Sequence, residues 1–502
     1  MIRVWSDNRA AGVLDRLGPK GSTFAYDPQA LPERAVSVTM PVRVQSWNTQ
    51  FGLAPIFEMN LPEGALRERL IRRFAKATGR FDDLDLLSVV GRTQIGRLRF
   101  SALDAELDEE VPFQSIDEIL RARRGGALFD YLLDTFASYS GVSGVQPKVM
   151  IRAKEGGRKG KASGRESSSL RSATHIVKLW DAAEFPELAA NEFFCLSAAR
   201  AAGLTVPNFQ LSDDGAALIL DRFDLSDGAY LGFEDFCVLN GLQTADKYSG
   251  SYESRLFKRL GDYVEQPTRA KSARHLFRLF VLNCALRNGD AHLKNFGILY
   301  SDVNGEAELA PVYDLVTTTA YLPQDAMALT LNGTTRWPDA RKLIELGQVR
   351  ANLPKKDIEG ILEATADALS DTLGKMKRYF RKSEFPETGQ RIAAAWEEGI
   401  RETLQQPANQ VPVEKPKQAV RKRGLAASEA LIIENLRKKK GYFIGPQRVL
   451  AEELQIPLST LSAALRRLEG RNLIRREKKT LALVEGREND HMSRAPTLRR
   501  RQ

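Results

Sequence analysis

At 502 residues the chain is too long for one hydrophobic core, and two or three domains are expected. Its 43% apolar and 27% charged content is that of a water-soluble globular protein, and the longest apolar run, near Leu276–Leu286, is broken by Arg278, which excludes a membrane-spanning helix. The net charge of +10 is concentrated at one end: residues 412–502 hold 22 Lys and Arg against 10 Asp and Glu, while residues 1–411 stand at −2, an asymmetry that points to nucleic acid as partner of the basic end or, more simply, to a solubilising tail.

Met1–Arg9 carries three charged residues with no apolar run behind it, so no signal peptide is expected. Residues 1–105 read as a compact α+β unit, with alternation over Val38–Val42, a turn at Leu61-Pro62-Glu63-Gly64 and a helix over Ala65–Ala77. From 106 to 404 the pattern is mixed first and helical later. Strand-like runs occupy Lys148–Ile151, Thr174–Leu179 and Ala217–Leu220, and long helical patterns follow at Ala273–Arg287 and Lys356–Tyr379. Between the first two strands, Arg152–Ser172 is rich in Gly, Ser, Lys and Arg and reads as a mobile hairpin loop. It contains no P-loop, because a G-x-x-x-x-G-K-[ST] frame would put its first glycine on Glu155 and its Ser or Thr on Ala162. Residues 405–425, with prolines and the run Arg421-Lys422-Arg423, read as a linker. Cys195, Cys237 and Cys284 lie far apart in apolar segments, neither a zinc spacing nor a disulfide framework, and fit small buried hydrophobes in a reducing cytosol.

The segment Asn288-Gly289-Asp290-Ala291-His292-Leu293-Lys294-Asn295 follows the nearly all-apolar Leu276–Leu286, which anchors it in a core. Phosphoryl transfer needs a carboxylate to take the proton of the attacking hydroxyl and an amide oxygen to ligand Mg²⁺. Protein kinases space these as Asp-x-x-x-x-Asn, the spacing of Asp290 and Asn295. A polar surface loop matches that pattern by chance, so its weight comes from its surroundings. Nineteen residues on, Asp314 closes Pro311-Val312-Tyr313-Asp314 after a short strand, Ala307–Ala310, where kinases place a metal-binding Asp; the following Leu315-Val316 differs from their Phe-Gly. Upstream, Lys178 lies on a strand and Glu192 on the amphipathic helix Pro186–Ala201, stopped by Gly203, as in the ion pair that orders a kinase site. A hairpin, Phe209–Leu211 with Ala216–Leu220, leads into Asp221-Arg222-Phe223-Asp224, where a hinge would offer backbone groups to adenine and Asp224 would bond ribose.

At these residues the sequence resembles the HipA family of bacterial toxin kinases. Ser143-Gly144-Val145-Gln146-Pro147-Lys148 is similar to that family's phosphate loop, which stands in for a Gly-rich loop. The resemblance extends through Glu234-Asp235-Phe236-Cys237, Lys247-Tyr248, Asn288–Asn295 and Tyr313-Asp314, and includes Leu61-Pro62-Glu63-Gly64 and Ile95-Gly96, about residues 1–400 in all. It implies a two-lobed kinase with an extra N-terminal subdomain, binding ATP with Mg²⁺, paired with a DNA-binding antitoxin, and acting on protein substrates, aminoacyl-tRNA synthetases among them. Position by position it implies Ser143, Gly144, Gln146 and Lys148 at the phosphates with Lys178, Asp221 to Phe223 at the hinge and Asp224 at the ribose. Asp290 would be the base, His292 would lie beside the nucleotide (or pack the loop), and Asn295 and Asp314 would hold metal. The family's Ser-x-Ser before the glycine is here Gly141-Val142-Ser143, so the outer, autophosphorylated serine is missing, although Ser140 lies one residue earlier.

From Ala426 to Gly486 the pattern is three helices and then strands. Ser428 caps a first helix burying Leu431, Ile432 and Leu436 and ended by Gly441, and Pro446 opens a second over Gln447–Leu454. A third, from near Pro457, aligns Leu458, Leu461, Leu465 and Leu468 and turns Ser459, Thr460, Ser462, Arg466 and Arg467 to the opposite face. Leu473–Arg476 and Thr480–Val484 would pair across Glu477-Lys478-Lys479 as a basic wing. This resembles winged helix-turn-helix regulators, in which the third helix enters the major groove and the wing meets phosphates. A three-helix protein-interaction module is the alternative, and the positive charge favours DNA.

The expected fold class is α+β: an N-terminal subdomain (1–105), a two-lobed protein-kinase-like domain (106–404, its N-lobe to about 224), a linker (405–425), a winged helix-turn-helix (426–486) and a basic tail (487–502). The expected function is that of a Ser/Thr protein kinase toxin of the cytoplasm, nucleoid-associated when bound to DNA, using ATP and Mg²⁺. Two rivals stand beside it. A transcription regulator whose kinase-like domain only senses nucleotide is weakened by the full set of acidic residues. A small-molecule kinase is weakened by the N-terminal subdomain and the Gly144–Lys148 motif.

Overall fold

The structure is a computed structural model that describes residues 1–78, 81–122, 126–153, 171–180, 185–405, 427–439, 442–444, 447–454, 461, 464–465, 468–469, 473–477 and 480–483. The chain forms two compact units, Met1–Ala408 and Asn409–Gln502. Residues 154–170 of the expected mobile loop Arg152–Ser172, the linker after 405 and the basic tail lie outside the described residues.

The first unit opens with an antiparallel sheet of β1 (Ile2–Ser6), β2 (Arg9–Leu17), β3 (Gly21–Tyr26), β4 (Trp47–Thr49) and β5 (Leu98–Ala102), in the order β4-β3-β2-β1-β5. Asp7 and Asn8, with φ of 50° and 58°, make the two-residue turn whose twist matches a β1–β2 hairpin. Val4, Leu14, Phe24 and Phe100 bury one face of the sheet. The alternation at Val38–Val42 forms no strand, only a bridge between Ser37 and Met40. The Val38 amide is taken by the Glu234 carboxylate at 2.8 Å, and Pro41 has no amide hydrogen to pair.

A second antiparallel sheet, β6 (Lys148–Ile151), β7 (His175–Leu179), β8 (Phe209–Leu211) and β9 (Ala217–Asp221), runs in the order β6-β7-β9-β8. Side chains alternate across its pleat. Val149, Val177, Ala217 and Ile219 join the apolar core of the N-terminal sheet, while Leu218 and Leu220 join the helical core on the other side. The N-terminal subdomain and this sheet therefore share one core. A short hairpin, β10 (Leu225–Ser226) and β11 (Ala229–Tyr230), precedes a third sheet, β12 (Gly232–Asp235), β13 (Gly297–Tyr300) and β14 (Ala307–Leu309).

The helical core gathers Leu188–Ala201, Thr268–Ala285, Lys355–Phe380 and Pro386–Gly399. Gly399 lets the last of these touch the second: an added Cβ would stand 1.9 Å from the Ala285 carbonyl oxygen. Just beyond, buried Arg287 takes a left-handed φ of 57° and reaches back to Thr403 Oγ1 (2.9 Å), Glu402 (3.1 Å) and Glu398 (3.3 Å). These contacts fix the start of the Asn288–Asn295 loop. All three cysteines are free and buried, and burial pushes their thiols up. Among the described residues no helix is long and apolar enough to cross a membrane.

The second unit has helices Ala427–Lys438 and Gln447–Glu453 and a sheet of β15 (Tyr442–Ile444), β16 (Ile474–Glu477) and β17 (Thr480–Leu483), with β17 central. Its core holds Ile432, Ile433, Leu436, Phe443, Leu450, Leu461, Leu465, Leu468, Ile474 and Leu481. Leu431, expected inside, is exposed, and Ile433 is buried instead. Ser459, Thr460, Ser462, Arg466, Arg467, Lys478 and Lys479 lie outside the described residues.

Candidate active site

A cleft of about 800 Å³ runs between the β6–β9 sheet and the Asn288–Asn295 loop. One end is an apolar slot lined by Ile95, Ile176, Leu220, Phe223, Phe233 and Tyr313. Phe223 and Tyr313 stack with centroids 5.4 Å apart and planes 25° apart, and Phe233 meets both edge-on. Tyr313 is held by its hydroxyl, which donates to the Lys294 carbonyl at 2.9 Å. Asp221 and Phe223 line this end, but the Asp221 and Arg222 amides already donate to the carbonyls of Asn208 and Thr174.

The other end is charged. Lys148 and Lys178 face each other directly across β6 and β7, a like-charge pair that needs compensation. Compensation comes from Glu192 Oε1, 2.5 Å from Lys178 Nζ, and from Asp314, bonded to Lys178 and 3.8 Å from Lys148. Burial would discharge Lys178, but Asp314 and Glu192 outweigh it and hold the ammonium up. At Lys148 burial wins over the pull of Asp314, and the lysine is lowered. Burial likewise pushes Asp314 up, yet Lys148 and Lys178 hold its carboxyl well below the usual range. Asp314 has a left-handed φ of 50°, the kind of backbone strain that collects at functional sites. Asn191, next to Glu192, holds the segment after Asp314: its Nδ2 donates to the Thr317 carbonyl (3.1 Å) and its Oδ1 accepts the Thr317 amide (3.0 Å).

The segment Ser143–Lys148, expected to be a phosphate loop, lines the same cleft. Gly144 sits at φ 116°, where a Cβ would meet Lys148 Nζ at 2.4 Å, so the glycine gives the lysine its place. Gln146 donates to the Leu179 carbonyl at 3.2 Å, and the Ser143 hydroxyl donates to Glu63 at 2.8 Å. Ser140 is buried, donating to the Phe136 carbonyl (2.7 Å) and accepting the Met150 amide (2.8 Å), so it does not replace the missing outer serine.

From the opposite wall, Asp290 presents a half-exposed carboxylate. Its loop is bonded to itself: the Asp290 amide donates to Asn288 Oδ1 (3.1 Å), and the Asp290 carbonyl accepts the His292 amide (2.7 Å) and the Asn295 side-chain amide (2.7 Å), which leaves Asn295 Oδ1 as an acceptor. Burial holds His292 down to about 4, so the ring is neutral near pH 7, and its Nδ1 is buried with no partner among the described residues. Glu192 Oε2 is orphaned in the same way. Among the described residues no cluster of three or more His, Cys, Asp or Glu side chains is arranged for a metal. Asn295 with Asp314 is a donor set suited to Mg²⁺, which keeps water and phosphate oxygens for its other positions.

Asp224 does not reach the cleft. Its carboxylate is buried, bonded to Arg222 Nε (3.0 Å) and NH2 (2.6 Å) and to the Gly96 amide (2.6 Å). It ties Arg222 to the Ile95-Gly96 segment, and the ribose role expected of it is withdrawn. Among the cleft residues that received no role from the sequence are Glu63, Lys247, Tyr248 and Lys294. All lie within segments that carry the family resemblance, which is the signal that could have found them.

The model of the HipA N-terminal domain matches residues 2–101, and that of the HipA-like C-terminal domain matches residues 140–373. "Putative kinase Y4mE" of Sinorhizobium fredii is 29% identical over 404 residues, covering 74% of this chain and 92% of that protein. "Putative kinase Y4dM" of the same organism is 28% identical over 301 residues, covering 56% and 66%. A chain of the Shewanella oneidensis toxin–antitoxin complex of HipA, HipB and operator DNA shares the fold, with a TM-score of 0.57 at 20% identity over 80% of this chain and 96% of that one. With both family domains matched in order along the cleft-bearing unit, the chain belongs to the HipA family, as a kinase-like enzyme.

Proposed function

We propose that the chain transfers the γ-phosphate of ATP to a Ser or Thr hydroxyl of a protein. One observation carries the reading: Lys148, Lys178, Glu192, Asp290, Asn295 and Asp314 converge on the charged end of a cleft whose other end is an aromatic slot fit for adenine. Lys178, oriented by Glu192, and Lys148 would meet the phosphates together with the backbone and side chains of Ser143, Gly144 and Gln146. Asn295 and Asp314 would hold Mg²⁺, which offsets phosphate charge when bound. Asp290 would take the proton of the acceptor hydroxyl, and neutral His292 would flank the nucleotide without adding charge. The adenine would rest between Phe223, Tyr313 and the aliphatic wall.

The second unit supports a role on DNA through its basic charge and its helix–strand–helix order closed by a hairpin, and the S. oneidensis complex contains an antitoxin and operator DNA. An antitoxin partner and an aminoacyl-tRNA synthetase substrate follow from the family resemblance. The experiment is incubation of purified protein with γ-labelled ATP and a bacterial lysate. A labelled protein band that disappears with Asp290→Asn is expected. A labelled metabolite, or no label at all, would favour the small-molecule kinase or the nucleotide sensor.

A further inference from the structure

Glu63 stands where three segments of the cleft meet. Its Oε1 accepts the Ser143 hydroxyl at 2.8 Å, its Oε2 accepts Lys247 Nζ at 2.9 Å, and Lys294 Nζ lies 3.7 Å from Oε1. Lys294 belongs to the Asp290–Asn295 loop, yet it points into the N-terminal subdomain, donating to the Met59 carbonyl (2.9 Å) and the Thr244 hydroxyl (3.2 Å). The turn that carries Glu63 lies directly on the phosphate loop: Gly64 sits at φ 52°, and a Cβ there would stand 2.9 Å from the Val145 carbonyl oxygen. Burial pushes Glu63 up, but Lys294 and Lys247 bring it down to about 2, so its carboxylate is ionised at any working pH.

An ionised carboxylate at the edge of a cleft for polyphosphate opposes its ligand by simple Coulomb repulsion. Its contribution is therefore to geometry and not to affinity. We infer that Glu63 is a positioning residue for phosphoryl transfer, through which the N-terminal subdomain holds the phosphate loop, by Ser143, and the catalytic loop, by Lys294, in fixed register. This rests on the kinase reading above. A sub-ångström slip between the two loops would misplace donor and acceptor without closing the nucleotide site.

The test uses the full chain, with the Kd of MgATP from calorimetry, the rate of labelled-phosphate transfer to lysate protein at saturating ATP, and Tm. Glu63→Gln should bind ATP as tightly as wild type or more tightly, because a repelling charge is gone, and should slow transfer by about 10- to 100-fold. Glu63→Asp should keep wild-type affinity and recover part of the rate. Lys294→Met should slow transfer similarly while weakening ATP, because it removes a positive charge. A Glu63→Gln chain with wild-type rate, or with rate and ATP affinity falling together, overturns the inference. If Glu63→Gln does not fold, wild-type rates in both Glu63→Asp and Lys294→Met overturn it. Wild-type protein that binds no ATP removes the kinase reading itself, an outcome separate from a wild-type kinase indifferent to Glu63.

Discussion

The phenolic hydroxyl of Tyr248 donates to Asp290 Oδ1 at 2.6 Å, in the place a proton-giving acceptor hydroxyl would take. The ring is half-exposed and packs edge-on against His292, with centroids 5.0 Å apart. Burial first, and then the Asp290 carboxylate, push the phenol well up, so it stays a donor. If Asp290 is the base, as proposed, Tyr248 would cover it until an acceptor displaces it, which would keep water from using the carboxylate. Tyr248→Phe should raise acceptor-free ATP hydrolysis by roughly 3- to 10-fold, the loss of about 1 kcal/mol of hydrogen bonding, with ATP affinity unchanged. Phosphate release without acceptor is the measurement. A fall in hydrolysis would make Tyr248 a support for Asp290 and not a cover.

Asp290→Asn and Asp314→Asn should each lower transfer by about 10³-fold or more while the fold persists. Neither carboxylate fills the core: Asp290 is half-exposed, and Lys178 keeps Glu192 when Asp314 is neutralised. Labelling rates together with unfolding curves check this. Near-wild-type labelling by either variant would strip that residue of its role.

The distinction between what was legible and what was not follows sequence distance. Asp290 and Asn295 share one short loop, and Lys178 and Glu192 lie on consecutive elements, so spacing and order alone single them out as site candidates. Asp224 misled because it sits next to the hinge in sequence, while the group that claims it, the Gly96 amide, is 128 residues away. Glu63 had no visible role because Ser143 and Lys247 are 80 and 184 residues away. The strand β15 was missed because three residues give no countable alternation, and its pairing with β17 is long-range. Lys148 opposite Lys178 was equally hidden, since only strand register sets them face to face.

Asp224→Ala then becomes a test of stability and not of nucleotide binding. The substitution leaves Arg222 buried with its charge unmatched, a loss of about 3–5 kcal/mol for a buried pair. Denaturant unfolding should show that loss, and the ATP affinity of the folded fraction should stay at the wild-type value. Weaker ATP binding by a fully folded variant would return Asp224 to the ribose.

His292 makes stability depend on pH. Its folded value, about 4, lies below its ordinary 6.5, so the unfolded chain binds the extra proton between these limits. Stability from this group is complete above about pH 6.5 and declines as pH falls toward 4, by at most about 3 kcal/mol. His275, also lowered by burial and by Arg278, acts in the same direction. The contribution of His292 is therefore read as a difference: His292→Gln should flatten the acid limb of Tm against pH relative to wild type. Superimposable limbs would mean that the ring is protonated in the folded protein.

The basic end yields the last expectation. Lys478-Lys479 joins β16 to β17, whose pairing brings Glu477 opposite Thr480. Two lysines at that point of the sequence suit phosphate and carry no base information. The full chain should bind duplex DNA with an affinity that falls as salt rises, because Lys and Arg displace counterions from the backbone. Replacing Lys478 and Lys479 by Gln should weaken binding to all sequences alike and flatten the log–log salt slope by about one per lysine. Replacing Arg466 or Arg467 should instead erode the preference for the gene's own upstream DNA over random duplex. Salt titrations on both duplexes read each effect. No binding at about 50 mM salt, or binding indifferent to salt, would assign the second unit to protein contacts. The kinase reading would stand either way, because its residues all belong to the first unit.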